Sequence, residues 1–265
     1  MALENKSGYN ININSNKPLG YVFFDIDGTL IEKKSPRLAK VTFEQAARNI
    51  KGLEVEDVEE KNNLFSAMDL NYIVQFLIKC KKKKGYGTVF NFANFLKNKT
   101  LFSHDTDIRT YMSFVDEYLR QEQLYAGEIG MYGDSKKILE NLKSEGYKLY
   151  IYSNWFKCVQ KAKLQDHGLL GYFSSLYTID EEYAKSTTKG WNDILIKSNI
   201  KPSDVTIMIG DSSSDIVPLE FGIPSLIRKG TRSKYAQQNG IIIESMNEVL
   251  PILKEEQIRK RTLMR

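Results

Sequence analysis

Three short apolar runs punctuate the chain, each closed by small or acidic residues: YVFF from Tyr21, KLYIY from Lys148 and VTIMI from Val205. Their length and their β-branched and aromatic content predict buried strands. Between the runs the pattern changes to helical spacing. Ile138, Leu139 and Leu142 share one face before Gly146 closes the segment, and Ile194, Leu195 and Ile196 supply an apolar face before Pro202 forbids further helix. The tail repeats the step on a smaller scale, with GIPSLIRKG and GIII as short strands and NEVLPILKEEQ as a closing helix. Strands alternating with helices predict an α/β fold, a Rossmann-like parallel sheet with helices on both faces.

Residues 37–127 break this rhythm. LAKVTFEQAARNI, NLFSAMDLNYIVQFLIKC, NFANFLKN and IRTYMSFVDEYLRQEQL all carry helical patterns with no strand of comparable strength among them. The expected organisation is therefore a discontinuous core of residues 20–36 and 128–265, with an α-helical cap domain at 37–127 inserted after the first strand. Residues 1–19 are polar and Asn-rich and read as an extension ahead of the core.

Composition narrows the class. At 265 residues and 42% hydrophobic, the chain has enough apolar content for one substantial core. No stretch reaches the roughly eighteen uncharged apolar residues needed to span a bilayer, and the start lacks an apolar signal core, so a cytoplasmic protein without a membrane partner is expected. Cys80 and Cys158 are the only cysteines, too few for a disulfide framework and without metal-knuckle spacing. The net charge of +5 is spread along the chain apart from Lys81 to Lys84 and the terminal RKRTLMR, which does not point to a nucleic-acid partner. His104 and His167 lie far in sequence from other candidate catalytic groups, leaving little material for a histidine-centred mechanism.

The candidate chemistry lies at the strand ends. Parallel sheets bind ligands outside the carboxyl ends of their strands, and the unusual polar residues fall there. Asp25 and Asp27 follow the first strand, Ser153 and Asn154 the second, Asp211 and Asp215 the third. A single aspartate in such a place reads as a cap or turn former. Four carboxylates at one sheet edge repel one another unless a cation sits among them. Oxygen ligands without soft competitors favour Mg²⁺, which typically keeps positions for water and a substrate phosphate. Such a site suits phosphoryl transfer, with Asp25 as nucleophile and Asp27 as proton donor to the leaving oxygen and later acceptor from water. Gly28 and Thr29 form the turn that approaches the phosphate, while Ser153 offers a hydroxyl to it. The missing cation is assigned to Lys189, just ahead of a helix, with Lys185 as the alternative.

DIDGTL, SN after a strand, a lysine before a helix and GDSSSD occur in the order used by haloacid dehalogenase-like hydrolases, which residues 20 to about 253 resemble in layout. The resemblance implies Asp25 as nucleophile and metal ligand. It implies Asp27 as acid/base that also lends its backbone carbonyl to the metal, Ser153 as phosphate ligand, Asp211 as magnesium ligand and Asp215 as a member of the metal shell. In that family the lysine is usually followed by proline. Here Gly190 follows Lys189, and Lys189 is preferred over Lys185 on its interval to GDSSSD. The resemblance further implies a mobile helical cap that closes over the site and selects the substrate, with Arg37, Lys81 to Lys84 and Tyr86 as candidates to meet an anionic group. Asp27 stands where the family's dehalogenases have no aspartate. The expected activity is thus a Mg²⁺-dependent phosphatase acting on a small phosphorylated metabolite, as a monomer or homodimer. A phosphomutase of the same family is the alternative, and a phospho-accepting signalling module fits less well.

Overall fold

In the computed structural model of the chain, the described residues are 17–50, 108–181, 184–230 and 234–255. Their centre is a six-stranded sheet: β1 (Gly20–Phe24), β2 (Tyr147–Tyr152), β3 (Ser175–Tyr177), β4 (Val205–Gly210), β5 (Ser225–Arg228) and β6 (Ile241–Ile243). The spatial order is β3-β2-β1-β4-β5-β6, and every pairing is parallel. The three apolar runs are the three central strands, as their pattern predicts. β3 had no comparable signal in the sequence: it is three residues long and owes its existence to pairing with β2, where Tyr150, Ile151 and Tyr152 align with Ser175, Leu176 and Tyr177.

The pleat of β1 divides the core into two layers. Val22 and Phe24 point to one face and pack with Ile138, Leu139 and Leu142 of α3 (Ser135–Ser144) and with Leu164 of α4 (Lys157–Asp166). Phe23 points to the other and meets Trp191, Ile194 and Leu195 of α5 (Thr188–Lys197), its ring 5.4 Å from Trp191 and edge-on to it. Both faces of the sheet are therefore covered, which is why the strands read as continuous apolar runs rather than alternating ones. Beyond β5, α6 (Lys234–Asn239) leads to β6, and a helical run over 249–255 closes the described chain.

The chain crosses to one side of β1 through β2 and β3, then returns to the other side at β4. That reversal leaves a crevice at the carboxyl ends of β1 and β4, the usual ligand position of such sheets. Just past it, Ser35 caps α1 (Pro36–Arg48): its hydroxyl accepts from the Leu38 amide at 3.2 Å, with Pro36 in the first turn, where a missing N–H costs nothing. α1 packs on α2 (Ile108–Leu124), with the Phe43 and Phe114 rings edge-on at 5.2 Å. These two helices bear out the first and last helical patterns of the 37–127 segment. The patterns between them, the Lys81 to Lys84 run and Tyr86 lie outside the described residues, as do residues 1–16 of the N-terminal extension and Cys80. Among the described residues, no helix is long and apolar enough to cross a membrane.

Candidate active site

β1 ends at Phe24, and the register of the sheet continues for one more bond: the Asp25 amide donates to the Ile209 carbonyl of β4 at 2.9 Å. Asp25 is thereby pinned beside the strand that delivers Asp211. The turn that follows needs a glycine. Gly28 has φ +83°, and a Cβ there would come within 2.4 Å of Asp211 Oδ2.

Asp215 reaches the same place by a different device. The chain after β4 forms a 3₁₀ segment (Ser213–Phe221) whose first turn folds the Asp215 carboxylate back onto its own start. Oδ2 accepts from the amides of Asp211 and Ser212, at 3.0 and 2.8 Å, and from the Ser212 hydroxyl at 2.6 Å. Gly210 permits this fold: a Cβ there would sit 2.1 Å from Asp215 Cγ. The other oxygen, Oδ1, faces the site.

Asp25, Asp211 and Asp215 each offer one carboxylate oxygen within 4.8 Å of the others, all three residues being buried. Burial drives the Asp25 carboxyl up to about 8, and the charges of Asp215 and Asp211 push the same way against the pull of Lys185. Asp211 is raised as well, by burial first and then by Asp215, with Lys33 opposing. Three hard oxygen donors converging at buried positions fit a divalent cation such as Mg²⁺. Two protein cations lean on the cluster, and the outer one is Lys33, whose Nζ stands 2.5 Å from Asp211 Oδ2 while half of its side chain remains in solvent.

The lysine of the site is Lys185, not Lys189. Lys185 is 1% exposed, and its Nζ lies 2.7 Å from both Asp25 Oδ1 and Asp215 Oδ1. Burial works against its charge, but Asp215 and Asp25 outweigh burial and hold the ammonium above its ordinary range. Its backbone is fixed too, the amide donating to Asn154 Oδ1 at 3.1 Å. Lys189 points away, its side chain 79% exposed and paired with Asp193 one turn along α5 at 2.6 Å. The reason is the helix start. Thr187 is the N-cap, its Oγ1 accepting from the Gly190 amide at 3.0 Å, so Lys189 falls in the first turn of α5 on its outer side. Its interval to GDSSSD and its place at the head of a helix favoured Lys189; the capping threonine that precedes it is the signal that places it on a helix surface and leaves Lys185 in the turn facing the sheet.

The remaining predicted residues divide. Ser153 lies at the end of β2, 2% exposed, with its amide held by the Tyr177 carbonyl at 3.0 Å. Asn154 acts on Lys185, as described above. Thr29 is wholly buried, and its carbonyl accepts from Arg228 at 3.2 Å, which ties the turn to the end of β5. Arg37 is exposed at the start of α1, and Cys158 is exposed on α4.

Two residues of the site had no signal in the sequence. Lys163 Nζ lies 2.6 Å from Asp27 Oδ1, and Gln160 Nε2 donates to Asp27 Oδ2 at 2.7 Å. Burial pushes the Asp27 carboxyl upward, but Lys163 and Gln160 outweigh it and leave the group below the usual carboxylate range. Both come from α4, three residues apart in a helix far from Asp27 in sequence.

A second buried network borders the site. Glu122 of α2 accepts from Lys34 Nζ at 2.6 Å and, through its other oxygen, from Trp155 Nε1 at 2.7 Å. Trp155 directly follows Ser153 and Asn154, so the loop at the end of β2 is tied to α2 and, through Glu122, to Lys34 ahead of α1.

The fold has many solved counterparts. A predicted phosphoglycolate phosphatase from Haemophilus somnus aligns over 90% of this chain and 99% of its own, at 18% identity and a TM-score of 0.60. The HAD-hydrolase YfnB from Bacillus subtilis, solved bound to magnesium, aligns over 90% of this chain and 100% of its own, at 18% identity and a TM-score of 0.60. A HAD phosphatase from Thermococcus onnurineus aligns over 89% and 98%, at 22% identity and a TM-score of 0.56. A search of curated protein sequences finds no significant match. The family model for haloacid dehalogenase-like hydrolases matches residues 20–220, the span from β1 through Asp215 almost to the end of its 3₁₀ segment, and the chain belongs to that family.

Proposed function

We propose that the protein is a Mg²⁺-dependent phosphatase that hydrolyses a small phosphorylated metabolite through an aspartyl-phosphate on Asp25. The observation that carries this reading is the single ammonium of Lys185 bridging Asp25 and Asp215 at 2.7 Å each, beside a third carboxylate from Asp211. A site of that charge has use for an incoming cation and a phosphoryl group together. Membership of the hydrolase family supports the reading, and so do the names of the structural counterparts, one of which is bound to magnesium.

Asp25, Asp211 and Asp215, with the Asp27 carbonyl, would hold the ion, which supplies charge neutralisation for the phosphoryl oxygens and a fixed orientation for in-line attack. In the first step a carboxylate oxygen of Asp25 forms the bond to phosphorus while the bond to the ester oxygen breaks. Asp27, entering the step in its acid form, gives that oxygen a proton and becomes a carboxylate, so that the ester oxygen leaves as an alcohol. Lys185 offsets the charge spread between Asp25 and the phosphoryl group, and Ser153 donates its hydroxyl to a phosphoryl oxygen. In the second step Asp27 takes a proton from water as the water oxygen bonds to phosphorus and Asp25 is released. The expected setting is the cytoplasm, as a monomer or homodimer without a nucleic-acid partner.

Turnover in ¹⁸O-labelled water tests the reaction type. A phosphatase places one labelled oxygen in each phosphate released. Formation of an isomeric phosphate ester with no label incorporated would replace the hydrolase reading with a phosphomutase.

A further inference from the structure

Asp27 is held more tightly than its place on a turn requires. Its two carboxylate oxygens have separate donors, Lys163 Nζ at 2.6 Å on Oδ1 and Gln160 Nε2 at 2.7 Å on Oδ2. Both donors come from α4, three residues apart and therefore on one face of one helix. The same Gln160 amide also donates to Ser153 Oγ at 2.7 Å, joining the candidate phosphate ligand to the candidate acid/base through a single side chain.

The burial of this face is costly. Lys163 is 4% exposed and Gln160 is 0% exposed, and an ammonium in such a place survives only when it is paired and hydrogen-bonded. Gln160 makes a further concession. With its amide nitrogen committed to Asp27 and Ser153, its carbonyl oxygen Oε1 has no hydrogen-bond partner among the described residues. Leaving a buried acceptor unmet costs stability. An apolar side chain at position 160 would avoid that cost, so the arrangement favours control of Asp27 over stability.

We propose that Gln160 and Lys163 are positioning residues for Asp27, fixing its carboxylate where it meets the leaving oxygen of the substrate and thereby setting how well the enzyme expels poor leaving groups. The inference rests on the phosphatase reading above. Both residues act through Asp27. As the Asp25–phosphorus bond forms and the ester bond breaks, an alkoxide must acquire a proton, which the acid form of Asp27 transfers as it becomes the carboxylate that Lys163 and Gln160 hold, whereas p-nitrophenolate departs without one. A carboxylate released from its two donors swings off that line, and only esters that need the proton suffer.

The test is kcat/KM across a ladder of phosphate monoesters from p-nitrophenyl phosphate to alkyl phosphates, in the full-length chain with saturating Mg²⁺. This parameter reports on events through the first irreversible step and so isolates departure of the leaving group from hydrolysis of the intermediate. Lys163→Met is expected to lower kcat/KM for alkyl phosphates by about 10²-fold or more, the range of a displaced general acid, and to lower it by less than about tenfold for p-nitrophenyl phosphate. Lys163→Arg should recover much of the alkyl activity, because it keeps the charge on Asp27. Equal losses along the whole ladder would overturn the positioning role and leave the phosphatase reading intact. A wild-type chain that releases phosphate from none of the esters would overturn both. Should Lys163→Met lose its cooperative thermal transition, Gln160→Met read on the same ladder decides the question, since it removes the second donor without leaving an unpaired charge.

Discussion

Lys185 Nζ stands 2.7 Å from Asp25 Oδ1, and with 1% of the lysine exposed the pair is buried. The ammonium shares itself equally with Asp215, so one cation fixes the Asp25 side chain to the loop that follows β4. Lys185→Met should therefore abolish turnover, by about 10²-fold or more if it removes charge stabilisation in the transition state. Lys189→Met should change kcat by less than about twofold, because it breaks only an exposed pair with Asp193 worth less than about 1 kcal/mol. Steady-state kinetics of the two variants with one substrate checks this; the reverse order of effects would return the role to Lys189.

Lys33 lies against Asp211 at 2.5 Å, on the same carboxylate that would ligate the metal. An incoming Mg²⁺ has to share that oxygen with the ammonium or displace it. Lys33→Met should therefore tighten Mg²⁺ binding by up to about fivefold, the upper range for a half-exposed pair. Calorimetric titration with Mg²⁺ alone reads the constant directly, and unchanged or weaker binding in the variant would exclude the competition.

Glu122 bridges Lys34 and Trp155 in a buried network. Glu122→Ala leaves the Lys34 ammonium with the Tyr118 hydroxyl at 3.1 Å but without its carboxylate, and the indole N–H without its acceptor, and should cost about 3 kcal/mol in urea unfolding. Trp155→Phe removes one donor and frees no charge, so its cost should be smaller. A cost below about 0.5 kcal/mol for Glu122→Ala would mean that the network does not hold the loop after β2 to α2.

Asp134 supplies a prediction about pH. Burial pushes its carboxyl upward, but the Met246 amide at 2.8 Å, Arg228 and the Ser245 hydroxyl outweigh burial and hold the group below the usual range. A carboxyl lowered in the folded state stabilises the protein at every pH above its unfolded value of about 3.9, and that stability is lost as pH falls through the lower folded value. Asp134→Asn should cost about 1 kcal/mol at pH 7, the group being partly open to solvent. The cost should stay level down to pH 5 and close progressively below about pH 4. Urea unfolding of both chains across this range measures it; a gap that widens on acidification would reverse the sign of the linkage.

The carboxylates were legible in sequence because physics leaves few uses for them. A run such as YVFF, buried on both faces, that ends on Asp25 and Asp27 puts charges where only a ligand or a cation accounts for them, and VTIMIGD repeats the case with Asp211. The helical patterns of α1 and α2 were legible for the same reason: their apolar spacing is local. What was not legible depends on contacts between distant segments. Gln160 and Lys163 are polar positions on a helix, and nothing near them in sequence says that their face meets Asp27, more than a hundred and thirty residues earlier. β3 is defined by its neighbour alone. Lys185 falls between: the cap at Thr187 marks where α5 begins, and from that start the outward direction of Lys189 follows.

The central claim is that Asp25 carries the phosphoryl group. Acid quench within one turnover, followed by mass spectrometry of peptides, measures this directly with a substrate that the wild-type chain hydrolyses. The account predicts one added phosphoryl group on the peptide containing Asp25, absent in Asp25→Asn, together with loss of phosphate release in that variant while its thermal transition persists. Phosphate release by Asp25→Asn at the wild-type rate, or a phosphoryl group on a different residue, would contradict it.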